Sequence, residues 1–219
     1  MLSGYSEPLS WNRLAVAPLW LRDTMLRRIR REKENAENGK KAHIIAKMNS
    51  LCDKEIIAAL YEASCAGVKI ELIIRGICCL KAGVSGLSEN ISVRSIVGNF
   101  LEHSRIFYFE NNGTPKLYMG SADWMPRNLD KRVEIVFPVE SERVRDQVMH
   151  ILEVQLADNV KAHILQPDGS YEKPDRRGKL QVNSQNQFCE EAVRNAQLVR
   201  KKTDPAERRT FIPIESQEE

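Results

Sequence analysis

No stretch of this chain approaches the roughly 20 apolar residues that a membrane-spanning helix requires. Met1–Trp11 also lacks the basic flank and apolar core of a secretory leader, so a cytoplasmic protein is expected. Cysteines are few and poorly spaced for covalent work. The five (Cys52, Cys65, Cys78, Cys79 and Cys189) are odd in number and show no C-x-x-C pattern. Adjacent Cys78 and Cys79 suit neither a mutual disulfide nor a zinc site, and all five read as small thiols in a reducing compartment. A strong charge of one sign is missing too. Lys and Arg number 33 against 30 Asp and Glu, and the net +3 gives no reason to expect nucleic-acid binding, although local basic pockets are compatible with it. No internal repeat occurs. The 219 residues, 42% hydrophobic, suffice for one good-sized α/β core or two small ones.

Strand and helix patterns alternate from the start. Leu14–Ala17 is a short strand ended by Pro18, and Leu19–Glu37 a helix with Leu21, Met25, Leu26 and Ile29 on one face. Its basic run, Arg27–Lys33, is interrupted by Glu32 and reads as a solvated face with the capacity to hold an anion. Ala42–Met48 is a strand, Asp53–Ala66 a helix stopped by Gly67, and Val68–Ile74 a second clear strand. This order predicts right-handed crossovers and a mixed but mostly parallel sheet flanked by helices. Residues 78–89 form a loop. Ile91–Val97, Ile106–Phe109, Lys116–Met119 and Val133–Phe137 are strand-like, with a turn at Asn111-Asn112-Gly113. Val144–Leu156 and Gln185–Val199 are helical, Pro167–Gly178 is turn-rich, and 201–219 form a charged, disordered tail.

Ligands of open α/β sheets sit at the carboxyl ends of strands. Lys47 and Asn49 arrive there after one strand, and Arg75 after the next. Singly, each is an ordinary surface residue. Arg75-Gly76 is the best ligand candidate, because a guanidinium forks onto phosphate oxygens and glycine permits close backbone approach. His103 precedes a strand, and Arg105, two residues on, points to the same face. Gly120-Ser121-x-Asp123 follows the turn, then Arg132 and Glu134, whose plain reading is a surface ion pair. Imidazole, guanidinium and hydroxyl together suit phosphoryl chemistry, with no metal ligands expected among them. A second His-x-Lys or His-x-Arg element is absent, and a histidine site of this kind is expected to draw one from each of two halves.

The combination resembles the phospholipase D superfamily signature, His-x-Lys followed by an acid and then Gly-Ser-x-Asn. Arg105 stands in for the lysine, Glu110 occupies the offset of the acid, and Asp123 replaces the asparagine. Longer blocks are more specific. Ala46-Lys-Met-Asn-Ser-Leu51, Ala59-Leu-Tyr-Glu-Ala-Ser64, Arg75-Gly-Ile-Cys78, Phe100-Leu-Glu-His-Ser-Arg105 and Ser121-Ala-Asp-Trp-Met-Pro-Arg-Asn-Leu129 together resemble the C-terminal catalytic domain of the long-chain polyphosphate kinase family, from about Ser3 to about Cys189.

That resemblance implies a phospholipase D-like domain, spanning 19–200, of an enzyme that moves the ATP γ-phosphate reversibly onto inorganic polyphosphate through a phosphohistidine. Residues 1–18 then form the junction from a preceding domain plus the first strand. The preceding domain would supply the phosphorylated histidine and the ligands of Mg2+, so this chain is expected to be inactive alone. By the resemblance, Arg75 and Arg132 hold nucleotide phosphates and His103 is a proton donor or phosphate contact. Lys47, Asn49, Arg105, Ser121, Asp123 and Glu134 are supporting candidates. Asn99 stands where the family usually has a basic residue or an Asp-Arg pair. The expected partners are ATP or ADP, polyphosphate, and the first catalytic domain or a full-length enzyme. The full enzyme is expected to be a homo-oligomer, cytoplasmic or peripheral at the inner membrane. Two alternatives are a homodimeric phosphodiesterase using His103 twice, and a non-catalytic anion-binding or assembly module.

Overall fold

The computed structural model describes residues 13–202, with side chains through 198. Residues 1–12 of the expected junction and the tail beyond 202 lie outside the described residues. Among the described residues, nine strands form one sheet in the order β1-β7-β6-β5-β2-β3-β4-β8-β9. They are β1 (Ala15–Ala17), β2 (His43–Met48), β3 (Lys69–Ile74), β4 (Ile91–Ile96), β5 (Arg105–Phe109), β6 (Lys116–Gly120), β7 (Glu134–Pro138), β8 (Ala162–Leu165) and β9 (Tyr171–Glu172). Helices α1 (Leu21–Glu37), α2 (Lys54–Cys65) and α3 (Glu142–Ala157) complete the first compact unit, which ends at Ser184. Helix α4 (Ser184–Lys202) forms the described part of the second unit, close to the span expected for it.

The two-residue period of the central strands sorts their side chains onto two faces. Ile44, Ala46 and Met48 of β2 pack with Ile70, Leu72 and Ile74 of β3 beneath Leu21, Met25 and Ile29 of α1 and Ile56 and Leu60 of α2. Ile45, Ile73, Ile96 and Ile106 turn the other way, against Val148 and Leu152 of α3. Helix α2 begins on a capping residue, since the Asp53 carboxylate accepts the Ile56 N–H at 3.1 Å.

The mixed α/β sheet flanked by helices stands as expected, but the parallel majority does not. Only β2–β3 and β3–β4 are parallel, and the other six pairings are antiparallel. The cause is local. After β4 the chain turns back as a β5-β6-β7 meander, and the six residues between β5 and β6 are too few for a parallel crossover. At the first turn Asn111, Asn112 and Gly113 all have positive φ (47°, 54° and 82°), a conformation that asparagine and glycine tolerate best. Buried Glu32 of α1 accepts the Asn111 N–H at 2.7 Å and so ties that turn to the helix.

Candidate active site

The carboxyl ends of β2, β3 and β6 and the amino ends of β5 and β7 lie at one end of the sheet, because Lys47 pairs with Ile106, Arg105 with Gly120 and Gly120 with Val136. Pairing continues past the strands. Leu51 bridges both Cys78 and Trp124, so the segments following β2, β3 and β6 run side by side. Beneath them Trp124 is fully buried and stacks on Phe107 with ring centroids 5.0 Å apart. The close approach permitted by Gly76 is to its own sheet, since a Cβ there would stand 2.9 Å from the Asn49 carbonyl oxygen.

Five of the expected residues are joined in one hydrogen-bonded chain. Arg75 Nη2 donates to Asn49 Oδ1 at 2.8 Å, and Asn49 donates both its backbone N–H (2.8 Å) and its side-chain N–H (3.1 Å) to Asp123 Oδ1. Arg105 Nε meets the same oxygen at 3.1 Å while Nη2 meets Oδ2 at 3.3 Å. The other arm of Arg105, Nη1, lies 2.8 Å from His103 Nδ1, 3.3 Å from its Nε2 and 2.7 Å from its carbonyl oxygen. Nearly equidistant from both ring nitrogens, Nη1 lies over the face of the imidazole, and the bond it donates is to the His103 carbonyl oxygen. His103 itself is exposed.

Lys47 joins from the α3 side of the sheet. Its ammonium is almost wholly buried, 3.3 Å from Glu102 Oε2, and burial lowers its pKa against the pull of that carboxylate. Gln155 of α3 donates to the same Glu102 oxygen at 2.7 Å. Ser121 and Glu134 form a second group. The Ser121 hydroxyl donates to Glu134 Oε2, Asn128 Nδ2 donates to Oε1 at 2.6 Å, and Arg132 lies 3.8 Å from Oε1 with half its side chain exposed. Sequence reasoning does not single out Glu102, Gln155 or Asn128. Glu102 and Asn128 lie inside the diagnostic blocks, but only the packing of α3 reveals Gln155.

Glu110 does not belong to this site. It follows β5 at the opposite end, where it accepts the Tyr108 hydroxyl, about 17 Å of strand away from Arg105. His43 pairs with Glu71 at 2.8 Å, and His163 lies in β8. The cysteines nearest the site suit inert thiols, with burial pushing Cys52 up to about 11 and Cys78 up as well.

The polyphosphate kinase C-terminal domain 2 model matches residues 14–185, which include every residue of this hydrogen-bonded chain. The protein belongs to the polyphosphate kinase C-terminal domain family. A polyphosphate kinase of Thermosynechococcus vestitus is 56% identical over 171 residues, 78% of this chain and 23% of that protein. A polyphosphate kinase of Lactiplantibacillus plantarum is 48% identical over 217 residues, 99% of this chain and 30% of that protein. The chain thus spans less than a third of the length of these relatives. The crystal structure of polyphosphate kinase from Porphyromonas gingivalis superposes with a TM-score of 0.83 at 38% identity, covering 92% of this chain and 30% of that one. A phospholipase D family member from Salmonella typhimurium shares the fold alone, at a TM-score of 0.51 and 15% identity over 70% of this chain and 97% of its own.

Membership in the polyphosphate kinase family raises the question of Mg2+, and the residues present do not fit it. Asp123, Glu134 and Glu102 are each engaged by cations or amide and hydroxyl donors. Among the described residues no cluster of three or more His, Cys, Asp or Glu is placed to hold a metal. No helix among them is long and apolar enough to cross a membrane.

Proposed function

We propose that this domain is one wall of a polyphosphate kinase active site, where the ATP γ-phosphate passes reversibly to inorganic polyphosphate through a phosphohistidine carried by another domain. The observation that supports it is the continuous chain Arg75–Asn49–Asp123–Arg105–His103 at the carboxyl ends of the strands. Phosphoryl transfer spreads negative charge over equatorial oxygens, so guanidiniums held in place before the reaction stabilise it without reorganising. Asn49 and Asp123 hold Arg75 and Arg105 in this way. Arg132, exposed and only loosely paired, is free to swing onto a nucleotide phosphate. His103, exposed beside the Arg105 guanidinium, is placed to contact a phosphate or to give a proton to a leaving oxygen.

In this reading a preceding phospholipase D-like domain faces the site and supplies the phosphorylated histidine and the ligands of Mg2+. Exposed Ile77, Val97, Phe100 and Leu101, which follow β3 and β4 at this end, offer that domain an apolar rim. The whole enzyme works in the cytoplasm, free or at the inner face of the membrane, as a homo-oligomer. The phosphodiesterase alternative rests on the shared fold alone. The test is incubation of the pure domain with ATP, Mg2+ and polyphosphate. The expected result is no chain elongation, with weak nucleotide binding that Arg75→Ala weakens further; robust elongation would refute the proposal.

A further inference from the structure

Helix α1 carries basic residues of two kinds. Arg22 is neutralised by Asp53 and Asp130, Arg31 meets Glu34, and Lys33 meets Glu62. Arg27, Arg28 and Arg30 meet no carboxylate among the described residues. Among the described residues Arg27 donates only to the Thr24 hydroxyl, at 3.2 Å, and the Arg28 guanidinium lies over the Tyr118 ring, 5.4 Å from its centroid. Like charges one turn apart repel, so an arrangement that leaves them without counter-charge is improved by an anion.

These arginines line two clefts on the α1 side of the sheet. The first, of 440 Å3, lies between α1 and the β1–β7–β6 edge and contains Arg13, Arg27, Arg28, Thr24 and Tyr118, with Glu140 the one acid among its described residues, already paired with Arg13. The second, of 420 Å3, contains Trp20, Asp23, Arg27 and Arg30. The two share Arg27, and neither includes any residue of the Arg75–His103 chain.

We propose that this double cleft is a second phosphate-binding site, which takes an extended inorganic polyphosphate chain apart from the catalytic end of the sheet. Guanidiniums fork onto phosphate oxygens, and Arg27 and Arg30, about 4.5 Å apart along the helix axis, suit an anion that repeats along its length better than a single ion. In the first cleft Tyr118 is buried and its ring is covered by Arg28, which leaves half-buried Trp20 of the second cleft as the one ring of the described lining open to a base. The ligand favoured, on the repeat of guanidiniums along the helix, is the phosphate chain itself. The choice of polyphosphate rests on the proposed function, while the residues of the site are separate from those of the catalytic end.

The test is titration calorimetry of the full chain with sodium polyphosphate at several salt concentrations, comparing wild type with Arg27→Gln/Arg30→Gln. Both side chains lie on the outer face of α1, so the variant is expected to melt like wild type. Polyphosphate affinity should fall about tenfold or more, and the slope against log salt should become shallower by about 0.7 for each phosphate no longer neutralised. Nucleotide binding that depends on Arg75 should not change, which separates failure here from failure of the catalytic proposal. Unchanged polyphosphate affinity in the folded variant would overturn the site. So would equal competition by a single-stranded oligonucleotide, which would mark an unselective polyanion surface. Inorganic phosphate, used as a third probe, should bind far more weakly; if it matches polyphosphate, the extended-chain assignment is wrong.

Discussion

Arg105 and Asp123 are paired along two edges, Nε to Oδ1 at 3.1 Å and Nη2 to Oδ2 at 3.3 Å, with their side chains only 11% and 9% exposed. The pair is the hub of the site, because the same carboxylate also takes the backbone and side-chain N–H groups of Asn49. Removing Asp123 therefore strands a guanidinium and two amide donors at once. Asp123→Ala is expected to cost about 3–5 kcal/mol, the usual penalty for breaking a buried pair, and Asp123→Asn less. Urea unfolding measures both; a loss below about 1 kcal/mol for the alanine variant would contradict the hub assignment.

At Gly120, paired with Val136, β6 leaves no room for a side chain against β7. A Cβ there would lie 2.3 Å from the Ile135 carbonyl oxygen and 2.7 Å from Val136 Cγ2, so the backbone itself must yield. Gly120→Ala should cost about 1–3 kcal/mol by overpacking and shift Ser121 relative to Glu134. A thermal melt indistinguishable from wild type would show that the edge is more compliant than its geometry indicates.

The His43–Glu71 pair sets an acid limb on stability. The His43 hydrogen bond, helped by Lys69 and opposed by burial, lowers the Glu71 pKa from 4.5 to about 2. A carboxyl depressed on folding stabilises the protein fully above its unfolded pKa, and that contribution fades as pH falls from about 4.5 towards 2. Glu71→Gln should flatten the dependence of the urea midpoint on pH across this window. An acid limb unchanged in the variant would assign it to other carboxyls.

His103 and Arg75 should separate stability from function. His103 is exposed, so His103→Ala should alter unfolding free energy by no more than about 0.5 kcal/mol. In the intact kinase the same change should slow phosphoryl transfer, and wild-type rates would remove His103 from the chemistry. Arg75→Ala should weaken nucleotide binding by about 1.5–3 kcal/mol, the range for a charge-assisted hydrogen bond. Equilibrium dialysis with ADP gives the answer, and unchanged affinity would exclude that role.

Much of the inner sheet is legible in the chain itself. β2, α2 and β3 declare themselves through hydrophobic period, the Asp53 cap and the Gly67 stop, which are local properties of consecutive residues. β8 is not legible: four residues around His163 carry too little period to separate strand from apolar loop, and only pairing with β4 makes them one. The turn of π-helix at Arg127–Lys131, which places Asn128 against Glu134, escapes sequence reading for the same reason.

The sequence alone placed Lys47, Asn49, Arg75, His103, Arg105, Ser121, Asp123, Arg132 and Glu134 at the ends of strands or in the segments beside them. Tertiary structure decided which of them touch. Asn49 and Asp123 are 74 positions apart and meet only because Leu51 pairs with Trp124. Glu110 matches the spacing of a motif yet stands away from the site, because five residues along a strand lead to the far end of the sheet. Spacing specifies direction and distance along one strand; which strands become neighbours depends on the packing of the whole core, and no short window of sequence contains that.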